Sequence, residues 1–260
     1  MSWKFAATAT QAVLRAGAIQ RARYGTELEV QHKGAIDLVT EVDRACEEVI
    51  LETIRESFPD HDVVAEEAGV DRRGSSYTWY VDPLDGTTNF AHSYPCFSAT
   101  VALVKDGEVV VGATYDPLRE ELFTAERGAG AFVNEKKLST SGESDLKSAL
   151  LITGFPYDIH DDVLGKLGAF HGFLGRAQAI RRDGSAAIDL AYLAAGRCEG
   201  FFEAGLKLWD CLAGSIMVEE AGGRVSHYDG TPLGLDPSTI LVSNGPLHEE
   251  MLEVVRDSFS

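Results

Sequence analysis

From Trp3 to about Tyr24 the apolar positions recur every three to four residues, the spacing that lines one face of an α-helix. The same period returns between Asp43 and Phe58, where Ala45, Val49, Ile50 and Ile54 share a side and predict a second helix. The rhythm then shortens. Runs rich in β-branched and aromatic residues, Tyr77 to Val81, Phe97 to Lys105, Val109 to Tyr115 and Glu121 to Thr124, read as strands. Lys105-Asp106-Gly107-Glu108 reads as a tight hairpin turn through Asp-Gly. The glycines of Glu126 to Leu138, "ERGAGAFVNEKKL", precede no clear helix, so they read as a hairpin turn rather than a nucleotide-binding loop.

After Leu150 strand and helix patterns alternate: "LLITGF", a helix near Asp161 to Leu174, a strand near Ala179 to Arg181, a helix Ser185 to Ala195, a strand Cys198 to Glu203, a helix Trp209 to Ala221, a strand Ile240 to Ser243, and a closing helix. The expected class is α/β. Residues 1–145 would form a mixed or antiparallel sheet covered by helices, and residues 146–260 an α/β half. "STSGESDLKSA" is the crossing, and without repeat or flexible linker both halves are expected to pack as one unit spanning 1–260.

Composition narrows the partners. A formal charge of −18 argues against a nucleic-acid backbone, whose binding needs clustered Lys and Arg. No window approaches the roughly 18 unbroken apolar residues of a membrane span, and the amphipathic start is unlike a signal core; a cytoplasmic location is expected. Cys46, Cys96, Cys198 and Cys211 form no CxxC pair and read as reduced core thiols. No HxxxH pair occurs among the 7 histidines, so oxygen donors rather than imidazoles are the candidates for a cation.

Those donors occur where acids interrupt apolar runs. In "WYVDPLDGTTNF" (Trp79 to Phe90) a strand ends in Asp82 and Asp85, with Pro83 fixing the backbone between them. Asp, Pro and Gly are also ordinary turn residues, so this stretch alone leaves a plain turn open. Glu66 and Glu67 follow Val63-Val64-Ala65, Asp43 sits in "DLVTEVD", and Asp210 falls among apolar neighbours in "LWDCLAG". Burying several carboxylates without cations costs about several kcal/mol apiece. Hard cations such as Mg²⁺ take oxygen ligands from a few carboxylates, water and phosphate. Gly86 permits close backbone approach, and the Gly86 and Thr87 amides could face an anion.

Taken together, "WYVDPLDGTTNF", "LWDCLAGSIMVEEAGG" (Leu208 to Gly223), "DLVTEVD" (Asp37 to Asp43), "AEEAG" (Ala65 to Gly69) and "RRDGSAAIDL" (Arg181 to Leu190) resemble, in order, the inositol monophosphatases of the lithium-sensitive sugar-phosphatase superfamily. The resemblance covers nearly the whole chain. It implies a layered αβαβα fold, a homodimer, and two to three Mg²⁺ per active site. Glu66, Asp82 and the Leu84 carbonyl would hold one ion; Asp82, Asp85 and Asp210 would hold another; a third would associate with Glu66. Asp43 and Thr87 would position and help deprotonate the attacking water, and the Gly86 and Thr87 amides would hold phosphate. Asp85, Gly184, Ser185, Ala186 and Glu203 match positions that meet the alcohol, and Lys33 matches a loop lysine. Thr87 could otherwise be a helix cap.

The implied activity is Mg²⁺-dependent hydrolysis of a polyol or sugar phosphate, inositol monophosphate first. Fructose 1,6-bisphosphate or dual specificity is the alternative, with a nucleotide 3′-phosphatase less favoured for lack of an aromatic or basic clamp. A haloacid dehalogenase-type phosphatase shares "DGT" but needs Asp-x-Asp, whereas Pro83 and Leu84 both intervene here. A catalytically silent metal-binding scaffold is the non-enzyme rival. Two departures from the family pattern stand out: Leu212 in place of a small residue, and "LITGFPYDI" in place of a serine-rich loop.

Overall fold

The computed structural model describes residues 2–32, 38–156, 159 and 167–259. Helix α1, Ser2–Arg23, and helix α2, Glu41–Ser57, lie side by side at the start. Their contact rests on small residues, Ala9, Ala12 and Ala16, packed with Val13 against Val42, Cys46, Ile50 and Ile54. Thr40 caps α2: its hydroxyl accepts from the amides of Val42 and Asp43, and the Asp43 carboxylate accepts from the Thr40 amide in return. Between the two helices, β1 (Val30–His32) pairs antiparallel with β2 (Leu38–Thr40).

The large sheet has eight strands. In chain order they are β3 (Asp62–Ala65), β4 (Gly69–Asp71), β5 (Tyr77–Asp85), β6 (Ser98–Lys105), β7 (Glu108–Asp116), β8 (Glu121–Glu126), β9 (Gly130–Val133) and β10 (Lys136–Lys137), and in space they run β10-β9-β8-β7-β6-β5-β3-β4. Only β3 and β5 pair in parallel; the other pairs are antiparallel. The β6–β7 turn is the expected one, with Asp106 at φ 50° and Gly107 at φ 87°, the two positive angles of a type I′ hairpin.

The second sheet has five strands: β11 (Leu150–Thr153), β12 (Ala179–Arg181), β13 (Gly200–Ala204), β14 (Arg224–Ser226) and β15 (Thr239–Ser243), in spatial order β12-β11-β13-β15-β14. Helices α4 (Gly168–Leu174), α5 (Ala186–Ala194), α6 (Leu208–Glu220) and α7 (His248–Ser258) complete the described elements of this region. Side-chain alternation along the strands then dictates the layering, because successive residues point to opposite faces. On β5 and β6, Trp79, Val81, Val101 and Leu103 face α1 and α2, while Tyr80, Ala102 and Val104 face α5 and α6. On the second sheet, Ile152, Phe201, Ile240 and Val242 face α5 and α6 from the other side, while Leu151, Phe202 and Leu241 meet α4 and α7. The order is therefore helix, sheet, helix, sheet, helix, as the resemblance implied.

The middle layer is tight. A Cβ on Gly112 of β7 would stand 2.7 Å from the Ala213 carbonyl of α6, and one on Gly214 of α6 would stand 2.3 Å from Leu190 Cβ of α5. Small residues are required at those two positions. Leu212 faces the core at 1 % exposure, so its size is accommodated beside the close approach rather than within it.

Several expectations change in detail. The alternating strands and helices do form an α/β half, and its sheet is mixed: β11 pairs in parallel with β12 and β13, while β13–β15 and β14–β15 are antiparallel. The short strands β1 to β4, β9, β10 and β14 carry too few residues for a period to register. The helix expected over Asp161 to Leu174 is observed from Gly168; residues 161–166 lie outside the described residues. No described helix is long and apolar enough to cross a membrane.

His248 opens α7 inside the core, 1 % exposed, with Ser226 Oγ 3.0 Å from Nε2 and Ser243 Oγ 3.0 Å from Nδ1. Burial, then Arg224, lowers its pKa from 6.5 to about 4. A lowered histidine gives stability that is complete above its unfolded value and is lost as pH falls toward the folded one. Between pH 7 and 5 His248 should cost the fold roughly 2 kcal/mol. Denaturant titrations at the two pH values, with His248→Gln lacking that share of the slope, check it.

Candidate active site

The acids of "WYVDPLDGTTNF" project from an irregularity in the sheet. Asp82 pairs with Thr100 and Asp85 with Ser98, so Pro83 and Leu84 on β5 oppose a single residue, Ala99, on β6. Pro83 has no N–H to offer the ladder, which favours such a bulge. The Leu84 amide turns back to donate to Asp82 Oδ1 at 3.0 Å. Gly86 follows at φ 90°, and a Cβ there would lie 2.9 Å from the Cys96 carbonyl, so both conformation and space call for glycine.

Thr87 starts the short helix α3 (Thr87–Ala91), whose cap residue is Gly86 and not Thr87. The Thr87 hydroxyl lies 2.9 Å from both Asp43 Oδ1 and the Leu84 carbonyl, and can donate to one of them at a time. The other Asp43 oxygen is held by the amide and hydroxyl of Thr40 at 2.8 and 2.5 Å. Asp43 is wholly buried, which raises its pKa against the lowering effect of those bonds. Asp43 thus completes the capping box of α2 and holds Thr87.

The remaining acids arrive from separate elements. The Glu66 amide donates to the Val81 carbonyl at 3.1 Å, which continues the parallel β3–β5 pairing and delivers Glu66 beside Asp82. Asp85 Oδ2 accepts from Ser185 Oγ at 2.6 Å and the Ala187 amide at 2.8 Å, joining β5 to the start of α5. Asp210 Oδ2 accepts from the Lys207 amide at 2.7 Å in the first turn of α6.

Glu66, Asp82, Asp85 and Asp210 line one cavity of about 290 Å³ together with Leu84, Gly86 and Thr87. They ring it without converging: among the described residues no three acidic, histidine or cysteine side chains are gathered tightly enough to grip an ion as they stand. Like charges in a buried site favour that spacing. Desolvation raises Asp82 well above the carboxylate range, and Glu66, Asp85 and Asp210 push it further. Asp210 is likewise raised by burial and then by Asp85, and Asp85 reaches about 6 by burial against the bonds from Ser185 and Ala187. Hard oxygen donors that are costly to ionise unless positive charge joins them fit a divalent cation.

Glu203 forms another wall. Burial, partly offset by Arg182, lifts it to about 8. A Cβ on Gly154 would fall 2.2 Å from Glu203 Oε2, so the glycine of "LITGF" is what leaves room for this carboxyl. Gly184, Ser185 and Ala186 line the same cavity, as does Asp85, which brings all the expected substrate positions together. Lys33 lies outside the described residues.

Among the lining residues that sequence reasoning did not single out are an acid and a guanidinium. Asp189 on α5 is 2 % exposed with Oδ1 lacking a hydrogen-bond partner among the described residues, and Arg182, itself exposed, lines the cavity too. Asp189 was legible as an acid on an otherwise apolar helix, "AAIDLAYLA"; Arg182 carried no such signal.

A family model for inositol monophosphatases matches residues 3–259. The chain belongs to the inositol monophosphatase family. It is 43% identical over 249 residues to an inositol-1-monophosphatase of Synechocystis, covering 95% of this chain and 87% of the relative. It is 41% identical over 255 residues to the Nus factor SuhB of Escherichia coli K12, covering 97% and 96%. The solved inositol monophosphatase of Anabaena (Nostoc) superposes with a TM-score of 0.90 at 40% identity, covering 98% of this chain and 96% of that one. Inositol monophosphatases are generally metal-dependent, in keeping with the donor set here.

Carboxyls with raised pKa stabilise the fold while protonated and lose that contribution as pH rises through their folded values. With Asp85 at about 6 and Glu203 at about 8, the metal-free protein should lose stability steadily from pH 5 to 8. The melting temperature should fall by roughly 2 to 4 °C per kcal/mol, and Mg²⁺ should restore it. Asp82→Asn should flatten the pH slope, raise the metal-free melting temperature and weaken the response to Mg²⁺. Calorimetry across that range, with and without the ion, tests all three.

Proposed function

We propose that this chain hydrolyses phosphate monoesters of polyols or sugars, inositol monophosphate foremost, with Mg²⁺ and an attacking water. The observation that carries the reading is the meeting, in one cavity, of two carboxylates from β5 and one each from the end of β3 and the start of α6 with a threonine hydroxyl backed by a buried aspartate. Glu66, Asp82, Asp85, Asp210 and the Leu84 carbonyl would hold two to three ions. When bound, such ions supply a more acidic water, neutralise the phosphate and stabilise the departing oxygen.

The chain's own groups supply position and proton transfer. Thr87 Oγ1, tethered to Asp43 Oδ1, accepts a hydrogen bond from the attacking water, and its own proton passes toward Asp43 as the water is deprotonated. The Gly86 and Thr87 amides hold phosphate oxygens. Glu203, with Gly184, Ser185 and Ala186, meets the hydroxyls of the leaving alcohol, a surface suited to a polyol rather than a purine. Asp82 and Asp85 act as ligands, so no phosphoaspartate forms.

Fructose 1,6-bisphosphate is the alternative substrate, favoured by Arg182 in the cavity lining, a cation placed for a second phosphate. The 41% identity to a relative named Nus factor supports a separate reading, a binding role on the same scaffold. A folded chain that binds Mg²⁺ yet turns over no ester would favour it.

Turnover of inositol 1-phosphate, fructose 1,6-bisphosphate and 3′-phosphoadenosine 5′-phosphate, each with and without Mg²⁺, decides among these. Hydrolysis of the first should be fastest and should require the ion. Thr87→Ala and Asp43→Asn should each lower kcat by on the order of 10²- to 10³-fold, and Asp210→Asn should abolish turnover with the fold intact. Full activity in Asp210→Asn would refute the assignment.

A further inference from the structure

Helix α1 contributes no residue to the cavity, yet one of its side chains reaches the strand that does. Gln20, near the C-terminal end of α1, is wholly buried. Its Nε2 donates to the Pro83 carbonyl at 2.8 Å and to the Ser98 carbonyl at 3.1 Å. A side-chain amide nitrogen has two hydrogens, and both are used.

The two carbonyls it serves are not arbitrary. Pro83 is in the bulge that separates Asp82 from Asp85, and Ser98 is the partner of Asp85 across the β5–β6 ladder. The extra residue of a bulge is left unpaired by the ladder, and a buried carbonyl without a donor costs about 1–3 kcal/mol. Gln20 supplies that donor from the α1 side of the sheet. With the Pro83 carbonyl tied there, Leu84 is left to bond the other way, its amide to Asp82 and its carbonyl to the Thr87 hydroxyl. Gln20 thereby adds a second anchor, from the opposite side of the sheet, to the register that presents both acids to the cavity.

The amide is an expensive choice for this position. Gln20 Oε1 and the neighbouring Ser98 Oγ are both buried with no partner among the described residues. A leucine in the same apolar surroundings would leave no orphaned oxygen at residue 20. Helix packing alone is therefore no reason for glutamine here; the bonds from Nε2 are.

We propose that Gln20 is a positioning residue for the cation site: it locks the Asp82–Asp85 bulge so that ion binding does not have to order it. The proposal rests on the reading of Asp82 and Asp85 as Mg²⁺ ligands. Removing the lock leaves every ligand in place but adds the cost of fixing the bulge to each binding event.

The test compares Gln20→Leu with Ile50→Val, a core truncation on α2 that removes no hydrogen bond to Pro83 or Ser98. Mn²⁺ dissociation constants are measured directly by electron paramagnetic resonance on the whole chain, alongside melting temperatures and the Mg²⁺ concentration for half-maximal hydrolysis. Gln20→Leu should weaken Mn²⁺ binding about tenfold and raise the half-maximal Mg²⁺ by a similar factor, with kcat at saturating Mg²⁺ within about threefold of the unaltered protein. Ile50→Val should lower the melting temperature without moving either constant. If Gln20→Leu does not fold, Gln20→Met, of matching length, is read in its place. Unchanged Mn²⁺ affinity in the Gln20 variant, or equal weakening in both variants, overturns the proposal. An unaltered protein that binds no Mn²⁺ instead overturns the ligand reading itself, and the positioning role with it.

Discussion

Everything in this fold is arranged around a repulsion. Asp82 is almost wholly removed from water, and Glu66, Asp85 and Asp210 each raise the cost of its charge. In a low-dielectric interior, that cost exceeds what the Leu84 amide bond returns. Two resolutions are open to such a site: protons on the carboxyls, or cations between them. A phosphate ester adds negative charge of its own, so a protonated site could bind it no better than water does, whereas a cation-filled one attracts it. The same repulsion that weakens the empty fold thus selects for the charge that the chemistry requires.

Rigidity around the cavity keeps that repulsion from being relieved by movement. Asp85 is tied across to Ser185 and Ala187, Asp210 to Lys207, and Asp43 to both Thr40 and Thr87. The bonds to Asp85 join β5 to the middle helix layer, while those from Lys207 and Thr40 fix Asp210 and Asp43 at the starts of their own helices. The approach of α6 to β7 at Gly112 and to α5 at Gly214 leaves little play between the layers. Acids on flexible loops would swing into solvent; these are fixed at strand ends and helix starts.

Much of this was legible in the chain because the decisive residues contradict their surroundings. Asp82 after "WYV" and Asp210 in "LWDCLAG" are acids where apolar side chains belong, and the strands on both faces of the middle layer read as long hydrophobic runs because both of their faces are buried. Other features left no trace. The antiparallel pairing of β13 with β15 depends on how the chain returns through β14, not on any local period. Thr87 satisfied the sequence rule for a helix cap equally well; the fold instead puts Gly86 at the cap and the Thr87 hydroxyl 2.9 Å from Asp43. Gln20 looks like one more polar residue on an amphipathic helix, and its partners are 63 and 78 residues away.

The cavity wall formed by Glu203 was the least readable part, and its geometry explains why. Glu203 is set on β13, yet the space for its carboxyl is made by Gly154, on the residue following β11. An acid in a strand and a glycine after one are each unremarkable alone; the pairing of β11 with β13 brings them into contact. A residue with a Cβ at position 154 would turn the Glu203 carboxyl aside without reaching Asp82, Asp85 or Asp210. The Glu203 wall and the acids of the β5 bulge thus rest on different sheets, and a substitution at Gly154 reaches the first without touching the second.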